Sequence, residues 1–312
     1  MSVLICGSMA YDNIMVFPGR FKEHILADQL HILNVAFLVP EMRREFGGCA
    51  GNIAYNLRLL GEQPAIMATV GEDFPAYADR LRANELDQRF IRTIDGTLTA
   101  QAYITTDLDD NQITAFHPGA MDHAHRNEVP TDAGISLGLV SPDGRQGMIE
   151  HAQQFADASI PFIFDPGQGL PMFDGDDLQR FVDQATWVAV NDYEGQLLQE
   201  RTGWSLEEIA AHVEALIVTR GGSGSSIYAD GDEHRIPPVE PVEILDPTGC
   251  GDAYRAGLVF GISRGWSWED TGRLASLIGA RKIASRGTQN HDMNLEELQR
   301  EFVSAFNYAL SL

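Results

Sequence analysis

The stretch that most constrains this chain is DPTGCGDAYRAG, residues 246–257, in which a glycine-rich loop leads into an apolar segment with helical spacing. The glycines allow successive backbone N–H groups to turn toward one point, and the start of a helix adds partial positive charge there. A junction of this kind is a site for an anion, most often a phosphate. The sequence therefore predicts an anion site at the beginning of a helix.

Asp252 stands in the first turn of this predicted helix, where its charge opposes the binding of a phosphate. The position makes chemical sense if the carboxylate takes a proton from an attacking hydroxyl group. The N–H groups of Gly249, Cys250 and Gly251 would then hold the phosphoryl group during transfer. The alternative is an N-cap aspartate on an ordinary helix, because short glycine motifs have many false positives.

The same stretch resembles the C-terminal signature of the ribokinase-like sugar and nucleoside kinases, the phosphofructokinase-B family, which commonly reads D-T-x-G-A-G-D-x-F-x-x-G. Five residues match this pattern: Asp246, Gly249, Gly251, Asp252 and Gly257. Cys250 stands where alanine is usual, Pro247 where threonine is common and Tyr254 where phenylalanine is common. The resemblance implies that Asp252 is the general base of a phosphoryl transfer from ATP and that the preceding loop is the anion hole.

Short apolar segments alternate with helical patterns along most of the chain, which predicts an α/β protein. Strands are predicted at 3–6, 65–70, 90–94, 162–164, 187–190, 216–219 and 226–228. Helices are predicted from 47–51 to Gly61 and at 74–86, 178–185, 194–201, 251–264, 268–285 and 294–309. Such alternation favours a mostly parallel sheet covered by helices on both faces. The resemblance implies the same fold, a ribokinase-like three-layer α/β/α domain over 1–312 with a small β-sheet lid.

Two segments break the alternation. Residues 17–46 are extended and mixed, with β-forming residues concentrated at 31–39, and residues 98–117 read as a hairpin with a turn at 107–111. We expect lid segments of about 13–46 and 97–120 to pair as a small sheet over one end of the large domain. The alternative is that they are extra edge strands of the main sheet. A lid suits phosphoryl transfer because it excludes the water that would otherwise accept the phosphate.

The candidate acceptor site lies in the first sixty residues. Asp12 follows the first strand, and Gly47 and Gly48 precede Asn52 at the start of a helix. Bare backbone at the glycines lets a sugar approach closely, and Asn52 offers both a donor and an acceptor to a hydroxyl group. The family resemblance implies that Asp12 accepts hydrogen bonds from adjacent ring hydroxyls.

Four further side chains are candidates for contacts with a nucleoside base or ribose. They are Gln29, Gln112, Phe116 and Gln168. Phe116 and Gln112 lie on the predicted hairpin and combine an aromatic ring with an amide, while residues 30–39 add apolar surface against which a base can stack. These features favour a nucleoside over a free sugar as the acceptor.

The resemblance also implies an ATP site in the second half of the chain. The residues that match the family's nucleotide-binding segments are Asn191, Thr219, Arg220, Gly222, Gly224, Gly249, Gly251, Gly287 and Asn290. Glu194, in an N-x-x-E motif with Asn191, is expected to hold Mg²⁺ through water, since Mg²⁺ keeps several waters in proteins. Asp246 and the loop around Gly287 resemble a monovalent-cation site, so K⁺ is a further expectation.

The charge balance excludes several classes of partner. The chain has 22 basic and 45 acidic residues and a net charge of −23, which argues against nucleic acid or an anionic membrane. A phosphate site must therefore rely on local dipoles, metal ions and a few arginines. The expected partners are a nucleoside and ATP, with the protein a monomer or a homodimer formed through the lid.

The three cysteines, Cys6, Cys49 and Cys250, have no paired spacing and indicate free thiols in a reducing cytoplasm. The N-terminus lacks a basic segment and passes directly into a strand, so no signal peptide is expected. Cys250 stands at a helix N-terminus, where the dipole lowers the pKa of a thiol, and we expect it to be reactive.

Together these features predict an ATP-dependent nucleoside kinase that phosphorylates the ribose 5′-hydroxyl of inosine, adenosine, guanosine or cytidine. One alternative is a sugar kinase resembling ribokinase or fructokinase. Another is a nucleotide-binding protein without catalysis. A dinucleotide-dependent oxidoreductase is disfavoured because no G-x-G-x-x-G follows the first strand.

Overall fold

The computed structural model describes residues 2–25, 34–109 and 111–310. Within them the strands are β1 (Val3–Cys6), β2 (Ala10–Val16), β3 (Glu41–Gly47), β4 (Ala65–Val70), β5 (Asp87–Thr93), β6 (Ala100–Thr106), β7 (Gln112–His117), β8 (Leu137–Val140), β9 (Phe162–Phe164), β10 (Trp187–Asn191), β11 (Ala215–Thr219), β12 (Ser225–Ala229) and β13 (Asp232–Ile236). The helices are α1 (Cys49–Leu59), α2 (Pro75–Ala83), α3 (Arg145–Asp157), α4 (Gly175–Gln184), α5 (Asp192–Thr202), α6 (Leu206–His212), α7 (Cys250–Ile262), α8 (Trp268–Ile283) and α9 (Leu295–Phe306).

The main sheet has nine strands in the order β13-β12-β11-β10-β9-β8-β1-β4-β5. The seven strands β11, β10, β9, β8, β1, β4 and β5 run parallel to one another. At the other edge, β12 pairs antiparallel with both β11 and β13. The predicted α/β class with a mostly parallel sheet is confirmed. The antiparallel edge arises because β11, β12 and β13 are joined by short loops, which cannot form the long crossover that a parallel pair requires.

Both faces of the sheet are buried, as β1 illustrates. Val3 and Ile5 pack into the apolar core beneath α1, α7, α8 and α9, whereas Leu4 and Cys6 pack into a second core beneath α3, α4 and α5. Successive strand residues point to opposite faces, so a continuous apolar strand supplies both cores at once. This explains why the strands read as apolar runs instead of alternating patterns.

A separate four-stranded sheet has the order β3-β2-β6-β7. Strands β6 and β7 form the predicted hairpin, and β2 joins them by pairing parallel to β6 and antiparallel to β3. The prediction of a small separate sheet is confirmed, and the alternative of extra edge strands on the main sheet is wrong.

Two details of this small sheet differ from the prediction. Residues 34–39 form no strand, and residues 31–33 lie outside the described part of the chain. The apolar Phe37 packs instead on Phe17 and Phe21, with ring centroids 4.9 Å away in both pairs. Asp12 does not follow a strand end but lies within β2, because the chain enters the small sheet only a few residues after β1.

Gly257, the last residue of the predicted signature, marks the close crossing of α7 and α8. A Cβ atom at this position would lie 2.5 Å from the Cα atom of Ala275. A backbone atom cannot yield as a flexible side chain does, so any larger residue separates the two helices.

We therefore expect Gly257→Ala to lower the free energy of unfolding by about 1–3 kcal/mol, measured by urea denaturation. Gly279→Ala is the matched control, because Gly279 also lies inside a helix and its Cβ would meet nothing closer than 3.7 Å. That variant should gain stability by roughly 0.5–1 kcal/mol from helix propensity. Equal effects of the two substitutions would contradict the role given to the helix crossing.

Candidate active site

The N-termini of α1 and α7 lie side by side and carry the centre of the candidate site. Gly48, before α1, has a φ of 86°, and Gly249, before α7, has a φ of 80°, a backbone conformation that favours glycine. Asn52 of α1 donates from Nδ2 to Oδ2 of Asp252 of α7 at 2.8 Å. One hydrogen bond thus joins the two predicted motifs.

The carboxyl group of Asp252 lies in a partly buried position with a strongly altered acidity. Burial raises the pKa of Asp252 to about 7, against the opposing effect of the hydrogen bond from Asn52. The nearby Asp165 carboxylate raises the pKa further, and the guanidinium group of Arg255 lowers it. A general base is most effective when its pKa lies near the working pH, so Asp252 is suited to that role.

Arg255 lies one helical turn after Asp252 and is almost fully buried. Its Nη2 atom donates to Oδ1 of Asp165 at 2.9 Å and to the carbonyl of Ala189 at 3.3 Å, and lies 3.9 Å from Oε2 of Glu194. A buried guanidinium group requires such partners because an unpaired buried charge is very costly. The ion pair fixes Asp165, just after β9, and Glu194 beside the first turn of α7.

A hydrogen-bonded chain holds Asn52 in one orientation. Gln289 donates from Nε2 to Oδ1 of Asn52 at 3.0 Å and to the hydroxyl of Tyr77 at 2.6 Å, and Tyr77 donates to the carbonyl of Gly47 at 2.8 Å. Because the amide oxygen of Asn52 already accepts from Gln289, its NH₂ group faces Asp252. The carboxylate is therefore held by a network that reaches the glycine pair before α1.

The loop before α7 differs in one respect from the predicted anion hole. The N–H group of Cys250 donates to the carbonyl of Pro247 at 3.2 Å. Within the described residues, the N–H groups of Gly249, Gly251 and Asp252 form no backbone hydrogen bond. The groups free to meet an anion are thus the two glycines and Asp252, and Cys250 contributes only if its turn opens.

The expectation that the helix dipole lowers the pKa of the Cys250 thiol is wrong. Burial raises the pKa of the Cys250 thiol to about 11. The charge of Lys282 acts in the opposite direction, whereas Asp246 and Asp252 raise the pKa further. Burial beside two carboxylates therefore outweighs the helix dipole.

A cleft of about 430 Å³ connects the start of α7 with the glycine loop after β11. Thr219, Gly222 and Gly224 line one end, and Cys250 and Gly251 line the other. Its walls are largely apolar and include Val239, Ile244 and Ile283. The structure thus brings five of the predicted ATP-site and anion-hole residues to a single cleft that fits the flat apolar faces of a nucleobase.

Three residues expected at the ATP site have other contacts. Arg220 donates to the hydroxyl of Ser226 at 2.6 Å and does not line the cleft. Asn290 donates to Oε2 of Glu45 in the small sheet at 2.8 Å, and a Cβ atom on Gly287 would lie 2.8 Å from the same oxygen. The loop that contains Gly287 and Asn290 therefore joins the small sheet to the main body of the protein.

One face of the small sheet carries the candidate acceptor residues. Asp12 pairs with Glu45 on one side and Ala102 on the other, and Ala102 pairs with Phe116, so all four residues share a face. A Cβ atom on Gly47 would lie 2.3 Å from Oδ2 of Asp12, which explains the glycine there. Burial raises the pKa of Asp12 to about 6, and the charges of Asp246 and Glu45 add to this effect.

Two of the four predicted base contacts, Phe116 and Gln112, lie on this face of the small sheet. Phe116 is 51% exposed, and Gln112 lies on the same strand and face, four residues away. Gln168 is exposed in the turn after β9. Gln29 lies outside the described residues.

Asn191 and Glu194 form a capping box at the start of α5. The backbone N–H of Asn191 donates to Oε2 of Glu194, and the backbone N–H of Glu194 donates to Oδ1 of Asn191, both at 2.8 Å. The motif predicted to hold Mg²⁺ thus has a structural role in capping the N-terminus of α5. Oε1 of Glu194 makes no hydrogen bond within the described residues and can accept one from a metal-bound water.

Asp246, the predicted monovalent-cation ligand, already has polar partners on its carboxylate and on its carbonyl. Its carboxylate accepts hydrogen bonds from the N–H groups of Thr248 at 3.0 Å and Gly287 at 2.9 Å. Its carbonyl accepts from the ammonium group of Lys282 at 2.8 Å. These residues do not fit a K⁺ site, because a positively charged group already occupies the carbonyl.

The described residues contain neither a cluster of metal-ligating side chains nor a membrane-spanning helix. No group of three or more His, Cys, Asp or Glu side chains is arranged to hold a metal ion there. Over the same residues, no helix combines the length and apolar character required to cross a bilayer.

Four residues of the site were not predicted. Asp165 and Arg255 form the buried ion pair, Gln289 orients Asn52, and Lys282 contacts the loop before α7. A signal existed only for Arg255, since its position three residues after Asp252 places it on the same side of a helix. The others come from distant segments, and nothing in their local sequence indicates the contact.

We expect the thiols to resist alkylation at neutral pH, because burial raises the pKa of Cys6, Cys49 and Cys250. Mass spectrometry after iodoacetamide treatment of the native protein should find Cys250 largely unmodified, and the urea-unfolded protein, as the control, should react at all three positions. Rapid modification of native Cys250 would contradict this assignment.

Comparison with known proteins places these observations in a family. The family model described as pfkB family carbohydrate kinase matches residues 9–294. A nucleoside kinase of Methanothermobacter thermautotrophicus is 30% identical over 302 residues, which are 95% of this chain and 97% of that protein.

Solved structures give a closer match. The Burkholderia thailandensis nucleoside kinase in complex with inosine is 53% identical, with a TM-score of 0.91 over 98% of this chain and 99% of the other. The same enzyme in complex with ADP-inosine is 54% identical, with a TM-score of 0.88 over 98% and 97% of the two chains. The resemblance found in the signature at 246–257 is thus confirmed over nearly the whole length, and the chain belongs to the pfkB family of carbohydrate kinases.

Proposed function

We propose that this protein is an ATP-dependent nucleoside kinase that transfers the γ-phosphate to the ribose 5′-hydroxyl of purine and pyrimidine nucleosides. One observation carries the proposal. A carboxylate with a pKa of about 7, Asp252, is held by Asn52 at a helix N-terminus that lines an apolar cleft. The similarity to a nucleoside kinase whose structure was solved in complex with inosine supports the choice of acceptor.

The phosphate donor fits the cleft between Thr219 and Gly251. Its apolar walls suit an adenine ring, and the glycine loop after β11 leaves backbone exposed for close approach. The transferring phosphoryl group would then lie at the start of α7, where the free N–H groups of Gly249, Gly251 and Asp252 and the helix dipole stabilise negative charge.

The nucleoside fits the face of the small sheet that carries Asp12. The carboxylate of Asp12 can accept hydrogen bonds from two ribose hydroxyls, and the ring of Phe116 on the same face offers a surface for base stacking. Ala102 lies between them and leaves room for the sugar. A planar base covers the exposed ring of Phe116 more fully than a free sugar does, so this face favours a nucleoside over ribose or fructose.

Asp252 accepts the proton of the 5′-hydroxyl as that oxygen attacks phosphorus in line with the leaving ADP. Asn52 holds the carboxylate in place, and the ion pair of Arg255 with Asp165 limits the negative charge around it. When bound, Mg²⁺ neutralises the charge of the phosphates, and Glu194 can bind one of its waters through Oε1. The small sheet acts as a lid that excludes water from the transferring group.

The acidic surface and the three free thiols support a cytoplasmic location for this activity. The outer strand β7 of the small sheet is exposed along its whole length, with Ile113 and Phe116 both uncovered. We propose a monomer or a homodimer formed through this sheet.

The test measures ADP release with ATP and Mg²⁺ in every reaction and one acceptor at a time. The acceptors are inosine, adenosine, guanosine, cytidine, ribose and fructose. We expect turnover with nucleosides and a much lower kcat/KM with free sugars. Asp252→Asn should reduce kcat by about 10²–10⁴-fold while substrate still binds, because the amide cannot take the proton. Asp176→Asn, at an exposed acid on α4, is the matched control and should retain activity. Near-normal turnover by Asp252→Asn, or turnover with sugars alone, would refute the proposal.

The pH dependence follows from the raised pKa of Asp252. The group must be ionised to act, so kcat/KM should rise with pH, be half-maximal near pH 7 and level off about one pH unit higher. Below about 6 a second loss should appear because Asp12 becomes protonated and no longer accepts two hydroxyl hydrogen bonds. Initial rates between pH 5 and 9 measure both effects. A profile that is flat through neutral pH in the parent enzyme would contradict the assignment of the base.

A further inference from the structure

Lys282 is a buried lysine in a chain that contains only one other, the exposed Lys22. Its side chain is inaccessible to solvent, and its Nζ atom donates to the carbonyls of Asp246 at 2.8 Å and Ser285 at 3.2 Å. A buried ammonium group is unfavourable unless polar partners replace its water. Here the partners are two backbone carbonyls, one in the loop before α7 and one just after α8.

The arrangement matches the coordination of a potassium ion more closely than a salt bridge. Backbone carbonyls are the ligands that hold K⁺ in proteins, and an ammonium group has nearly the same radius as K⁺. The carboxylate of Asp246 instead accepts from Thr248 and Gly287 and lies 3.6 Å from Arg43. No described carboxylate forms a salt bridge with Lys282.

The contact fixes the start of the loop that leads into α7. The backbone N–H groups of Leu245 and Asp246 donate to the carbonyl of Ile283, next to Lys282, at 2.9 and 3.1 Å. The end of α8 thus holds both sides of the Asp246 peptide group, directly before the turn that presents Gly249 and Gly251. The positive charge also lies near enough to Cys250 to lower the pKa of its thiol.

We propose that Lys282 is a covalently attached monovalent cation that holds the loop before the anion hole and adds positive charge behind it, so that the kinase requires no K⁺. This inference rests on the proposed kinase function. It differs from the cation dependence that the sequence resemblance implies, because the side chain occupies the carbonyl that a free ion would need.

The test compares the parent enzyme with Lys282→Ala in KCl, NaCl and choline chloride at equal ionic strength. The parent should have the same kcat in all three salts. Lys282→Ala should lose about 10- to 100-fold in kcat in choline chloride, as for other losses of a positioning group, and KCl should restore much of it in a saturable manner. Arg281→Ala, which removes a charge from the same helix but outside the carbonyl pair, should respond to the salts as the parent does.

A second readout does not depend on catalysis. Without substrates, KCl should raise the Tm of Lys282→Ala above its value in choline chloride, because an ion that binds only the folded state stabilises it. The parent should show no such difference. Lys282→Met fills the same space without charge, so it should fold, lose activity and gain nothing from K⁺.

Several results would overturn the inference. They are activation of the parent by K⁺, full activity of Lys282→Met, or a salt response of Lys282→Ala equal to that of the parent in both kcat and Tm. A parent enzyme without nucleoside-dependent ADP release in any salt would instead refute the proposed function, and the Tm comparison would still decide whether K⁺ replaces the ammonium group.

Discussion

The hydrogen bond between Asn52 and Asp252 is the contact on which the site depends. It joins the N-termini of α1 and α7 across 200 residues of sequence and sets the position of the carboxylate relative to the helix start. Each partner is fixed from behind, Asn52 by Gln289 and Asp252 by its place in the first turn of α7. Because both helices pack on the same face of the main sheet, the geometry of the site follows from the geometry of the core.

Electrostatics impose the second constraint. A chain with a net charge of −23 must bind a polyanionic nucleotide, so local cations and dipoles have to offset the repulsion at the site. Arg255 and Lys282 are both buried beside the start of α7, and the helix N-terminus adds its own partial charge. Asp165 and burial together keep the pKa of Asp252 near neutrality despite these cations. The balance leaves a base that is partly ionised at neutral pH and basic enough to accept a proton.

The fold was largely predictable because short apolar runs and helical spacing are local properties of the sequence. Strands 65–70 and 162–164 were predicted to the residue, and the hairpin of β6 and β7 was recognised from its alternation and turn. The prediction failed where contacts with neighbouring segments decide whether a segment forms a strand. Residues 34–39 have strand-forming side chains, but Phe37 packs into an aromatic cluster, while the charged segment Glu41–Gly47 forms the strand because β2 offers it a partner.

The sequence by itself determined the α/β class, the family signature and the pairing of a base with an anion site, because each depends on residues close together in the chain. Only the tertiary structure decided the acidity of Cys250 and Asp252, the ion pair of Arg255 with Asp165, and the contact of Lys282 with Asp246. A pKa depends on burial and on charges from distant segments, and a carbonyl is available to an ion only if no other group already holds it. Those quantities are fixed when helices and strands pack together, not by the local sequence.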